Sequence, residues 1–189
     1  SRPAVADANP HDGPVVLVVE LADGAVDTIM YAPPGRTLSD ARRGMDGRLG
    51  FVRRRGETVE RAALIGGREL HDGRVELKAD VPAWTGRATR LSEPKAPQSR
   101  VWVDAALPTD GRLTGEWIAI ANDGAQNAFY RIESVEREGQ GSVISLGDVS
   151  LERGYKDEKD YGQGMKMNFA PGDPFVILNH VVAAGDDAR

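Results

Sequence analysis

Across 189 residues, 24 Lys and Arg face 29 Asp and Glu, and the resulting net charge of −5 counts against a nucleic-acid binder, since phosphate contacts need clustered cations. The 22 Gly and 11 Pro favour turns and short strands over helices, and the lack of Cys excludes disulfides and thiolate metal sites. No apolar run approaches the roughly 20 residues that a membrane-spanning helix needs.

Residues 1–13 are polar and contain Pro, and they read as a flexible start. Ser1-Arg2-Pro3 reads as a cut end, so the chain is expected to be a piece of a longer protein. Pro14 then introduces Val15-Val16-Leu17-Val18-Val19, whose unbroken, largely β-branched run predicts a strand buried on both faces. Asp23-Gly24 turns the chain into a partner strand over Val26–Tyr31. The stretch from Ala32 to Gly44, with Pro33-Pro34-Gly35, lacks periodicity and is predicted to be a loop. Leu49 and Phe51 alternate with polar neighbours, Arg55-Gly56 turns into a strand over Thr58–Ile65, and Asp72-Gly73 turns into Val75–Ala79. Such closely spaced turn signals predict a sandwich-like unit of β-hairpins over 14–81.

Asp80-Val81-Pro82 marks the predicted boundary to a small β-barrel-like unit over 82–181, followed by a flexible tail over 182–189. Strands are predicted over Trp84–Leu91 and Arg100–Val103, with a polar loop over Glu93–Gln98 between them. Gly115 to Leu146 reads as a three-stranded meander. Ile118 and Ile120 share one face of its first run, and Ile144 and Leu146 share one face of its last. In the middle run Tyr130 and Ile132 share a face and Val135 falls on the other, a shift that a bulge near Glu133-Ser134 would reconcile. Phe175–Leu178 is predicted to be the closing strand of the barrel, which would leave no exposed edges. The fold class expected is therefore all-β. From Gly147 to Asp173 no alternation persists, yet Tyr155, Tyr161, Met165, Met167 and Phe169 occur there, as in a loop that is functional or docked on a neighbour.

Chemistry-bearing residues are sparse. His11, His71 and His180 show no metal-ligand spacing and are expected at the surface, and the chain has no Gly-x-Ser-x-Gly elbow. Arg53-Arg54-Arg55 beside Gly56 reads as a solvated hairpin tip. Asp157 and Asp160, near Gly162, are the one candidate for a structural calcium site, against a salt-bridged surface turn in which Lys156 and Lys159 take part. Trp84, Tyr155 and Tyr161 are the candidate glycan contacts, because aromatic faces stack on sugar rings and these three have loop or strand-edge contexts. Trp102, between Val101 and Val103, is read as half core.

Several phrases together resemble the C-terminal all-β region of bacterial heparinase II/III-like polysaccharide lyases. They are Asp46-Gly47-Arg48-Leu49-Gly50-Phe51-Val52, Ala63-Leu64-Ile65-Gly66-Gly67, Tyr130-Arg131-Ile132, Leu146-Gly147-Asp148, Arg153-Gly154-Tyr155 and Phe169-Ala170-Pro171-Gly172-Asp173-Pro174-Phe175. The resemblance implies a noncatalytic accessory β module of an exported bacterial protein, secreted, periplasmic or at the cell surface. Its implied partners are a missing N-terminal catalytic region or a polysaccharide, with neither nucleic acid nor membrane insertion involved. No position of this chain takes over a catalytic residue from that family. The alternative is a structural assembly module such as a phage-tail or surface-layer barrel. A self-sufficient enzyme ranks third for want of a catalytic constellation.

Overall fold

The computed structural model describes residues 13–92, 97–120, 128–147 and 171–185. Among these residues every regular element is a strand, and the protein is all-β. The chain divides into two units, one holding the residues up to Ala83 and again from Leu178, the other Trp84–Ile177. The first unit contributes β1 (Val15–Glu20), β2 (Ala25–Tyr31), β3 (Leu38–Ser39), β4 (Arg43–Asp46), β5 (Leu49–Arg55), β6 (Thr58–Ile65), β7 (Glu69–Asp72) and β8 (Val75–Lys78). The second contributes β9 (Ala83–Leu91), β10 (Arg100–Val103), β11 (Trp117–Ile120), β12 (Ala128–Arg131), β13 (Ser134–Glu138), β14 (Gly141–Ser145) and β15 (Pro174–Leu178). The chain then returns to the first unit as β16 (His180–Ala184), so an ordered strand begins where the sequence predicted a flexible tail from 182.

In the first unit, a five-stranded sheet in the order β1-β2-β5-β6-β16 packs on a four-stranded sheet in the order β3-β4-β7-β8. Strand alternation sends Met30, Val52, Ala62, Leu64 and Ala183 inward from the first sheet, and Leu38, Met45, Leu70, Val75 and Leu77 meet them from the second. Each of the Met, Val and Leu side chains among them contributes roughly 1.5–3 kcal/mol when fully buried. Gly50 lies between Met30 and Leu64 on the inner face, and its missing side chain is what lets the second sheet approach. A Cβ there would stand 2.5 Å from Leu70 Cδ1 and 2.8 Å from Met45 Sδ.

Two sequence expectations fail in this unit. The run Val15–Val19 is not buried on both faces: β1 is an edge strand, and Leu17 and Val18 remain exposed. An unbroken apolar run fits a covered central strand, but only pairing decides where a strand lies in its sheet. The predicted loop from Ala32 to Gly44 contains β3 and the start of β4, and it brings Leu38 into the core. Strands of two and four residues are too short to show a period.

The second unit is a seven-stranded sheet in the order β12-β11-β15-β9-β10-β14-β13, curled around Val101, Ile118, Ile120, Ile132, Ile144, Phe175 and Ile177. β15 lies between β11 and β9 and is a central strand, not the predicted closing one. The middle run of the expected meander is divided: β12 pairs with β11, and β13 pairs with β14 at the other end of the sheet. No bulge is needed, because the chain breaks strand geometry at Ile132–Glu133. There Ile132 N–H donates to Glu116 O and Glu133 N–H donates to Ser145 O, both at 2.8 Å. Consecutive amides thus serve opposite ends of the sheet. The result is barrel-like without being a closed barrel, since no ladder joins β12 to β13 among the described residues.

The turn before β14 has two residues, with Gly139 at φ 60. Ser142 shares the inner face with Ile144, and its buried hydroxyl accepts a hydrogen bond from Leu107 N–H at 2.9 Å. That bond removes the cost of an unsatisfied buried polar group.

Candidate functional site: an aromatic sheet face

β11 and β12 owe their strand form to alternation. Ile118 and Ile120 are buried on one side and Tyr130 packs beside them. The intervening residues must therefore point to the opposite side. Trp117 pairs with Arg131 and Ala119 with Phe129, while Val176 of β15 faces Ala119 from the other flank. These five residues form one outward face. Trp117 is 57% exposed and Phe129 62%, the two most exposed large apolar side chains among the described residues. As diagonal neighbours on adjacent antiparallel strands, they sit about 7–8 Å apart at the backbone. Ala119 and Val176 add low apolar ground beside them, and Arg131 supplies a cation next to Trp117.

The arrangement offers two large ring surfaces on a rigid ladder with a guanidinium at the margin. It can stack on a ring-shaped ligand that carries apolar faces and hydroxyl or carboxylate groups. It is not an acid–base centre. Tyr130, on the opposite face, has its phenol pushed above its ordinary value by burial, away from the range useful to a base.

Of the residues singled out from the sequence, Trp84 is half-buried and packs against the core of the second unit. It does not stand clear as a platform. Its spacing from Gly86 and Ala88 puts it on the inner face of β9. Tyr155, Tyr161, Asp157 and Asp160 lie outside the described residues. Among the described residues no group of three or more His, Asp and Glu could hold a metal ion. Trp102 points outward from β10, and Arg90 covers its ring, with the guanidinium carbon 3.7 Å from the centroid. That stacking surface is already occupied.

Arg53, Arg54 and Arg55 are not a free basic tip either. Arg53 forks onto Asp27, Arg54 pairs with Asp72, and Arg55 reaches both Asp23 and Glu60. His71 and His180 are exposed, as expected.

Sequence reading passed over Trp117 in favour of Trp84, Tyr155 and Tyr161, and it missed Phe129. The signal was present: once Ile118 and Ile120 are placed in the core, Trp117 must face outward. Phe129 follows in the same way from Tyr130. No known protein family, no curated protein and no solved structure matches the chain.

Proposed function

We propose that this chain is a noncatalytic β module of an exported bacterial protein of the heparinase II/III-like polysaccharide-lyase kind, and that it contacts glycan through Trp117 and Phe129. The observation that carries this reading is the exposure of both rings on one sheet face with Arg131 beside them. Sugar rings have apolar faces that stack on such side chains, and acidic sugars add a carboxylate for the guanidinium. Isothermal titration of the chain with heparan sulfate, chondroitin sulfate and alginate tests the reading, with absorbance monitored for unsaturated products. Binding without product formation is expected. Absence of binding to every glycan, or turnover abolished by a single substitution, would contradict it.

A structural assembly role is the second reading. It is favoured by the apolar edge strand β1, since unprotected edges are the usual means by which β domains join.

A further inference from the structure

The outward face of the five-stranded sheet is apolar across every strand. One row reads Leu17, Ile29, Phe51, Ala63 and Val182; Leu17 is 41% exposed at one margin and Val182 45% at the other. A parallel row begins at Val15, continues through Tyr31, Leu49 and Ile65, and ends at the exposed His180 of β16. The next row is polar where Asp27 and Arg53 form a two-bond fork, with both contacts at 2.7 Å. An apolar centre with a satisfied polar margin has the anatomy of a protein interface.

Both apolar rows run out to β1, whose outer edge has no partner strand among the described residues. Edge strands are normally guarded by Lys, Pro, a bulge or shortness. β1 has six residues, an unbroken register with β2, and a single charge at its last position, Glu20.

We propose that β1 pairs antiparallel with β1 of a second copy of this chain about a two-fold axis at Leu17. This goes beyond the glycan-binding reading and does not depend on it. Self-complementarity selects the occupant: Val15-Val16-Leu17-Val18-Val19 reads the same in both directions. Antiparallel pairing about Leu17 therefore sets Val15 opposite Val19, Val16 opposite Val18, and Leu17 opposite Leu17. Glu20 falls opposite Pro14, beyond the ladder, so no like charges face each other. The two sheets become one of ten strands, and the Leu17 row continues across the seam, while the Val15 row of each copy meets Val19 and the Asp27–Arg53 fork of the other. A two-fold contact of this kind closes on itself and leaves no propagating edge at β1.

Sedimentation velocity of the full chain over a range of concentrations tests the proposal. A concentration-dependent dimer is expected. Leu17→Lys and Leu17→Glu should each sediment as monomers, because the axis sets like charges face to face. An equimolar mixture of the two should restore a one-to-one dimer, and Val182→Lys, at the far margin, should still dimerise. Hydrogen exchange of the unsubstituted chain gives an independent readout: protection of amides in Val15–Glu20 should rise with protein concentration. A monomer at all concentrations, a dimer that survives Leu17→Lys, open polymers, or β1 exchange independent of concentration would each overturn the proposal.

Discussion

Arg54 and Asp72 join the two sheets of the first unit. Arg54 Nη1 lies 2.7 Å from Asp72 Oδ2, and Nη2 donates to the Asp72 carbonyl at 2.7 Å. Arg54 belongs to β5 and Asp72 to β7, so the pair spans the sandwich at its end. Arg43 Nε adds a longer contact of 3.6 Å to the other carboxylate oxygen. Asp72 is buried, and removing it leaves the Arg54 guanidinium without its anion, while Arg43 keeps Asp40 at 3.5 Å. Asp72→Ala should therefore cost about 3 kcal/mol, read as a lower urea midpoint with an unchanged slope.

Asp27 gives a pH dependence of defined sign. The hydrogen bond from Arg53 holds its carboxyl below the ordinary 3.8, outweighing the opposing effect of desolvation. A folded value below the unfolded one means that the unfolded chain takes up the proton first. The stabilisation is fully present above the unfolded value and is lost as pH falls through the lower, folded value. Urea titrations at a series of pH values should show Asp27→Asn weaker than the unsubstituted chain near neutrality. The two should converge in acid, below 3.8. A gap that persists or widens there would contradict the assignment.

Much of the architecture was legible because it rests on turn residues such as Asp23-Gly24 and Arg55-Gly56 and on strand composition; in β5 the alternating Leu49 and Phe51 mark the outward face, and Gly50 and Val52 the buried one. Sheet order was not legible. The run Val15–Val19 has the composition of a central strand and lies at an edge; Phe175–Leu178 was expected to close a barrel and lies between β11 and β9 of an open sheet. Pairing partners far apart in sequence decide such questions, and local composition carries no record of them. The direction of two aromatic side chains was also readable and was passed over. Trp84 was weighed by its loop-like surroundings when its spacing from Ala88 placed it inward, and Phe129 was overlooked although Tyr130 fixed its direction.

Gly50 tests the close approach of the two sheets. The two nearest neighbours of a Cβ at this position, Leu70 and Met45, are buried and would have to shift. Gly50→Val should destabilise the chain by about 2 kcal/mol through overpacking, measured by thermal or urea unfolding. Unchanged stability would show that the sheets separate more easily than their packing implies.

Affinity electrophoresis in polysaccharide-containing gels tests whether Trp117 and Phe129 hold glycan. The unsubstituted chain should be retarded by at least one uronate polysaccharide. Trp117→Ala and Phe129→Ala should each weaken binding about tenfold, roughly 1.4 kcal/mol, because each removes one stacking surface. Both side chains are exposed, so unfolding midpoints should stay within about 0.5 kcal/mol of the original. Retardation that persists undiminished in the double variant, or that is absent from the unsubstituted chain in every gel, would contradict the account.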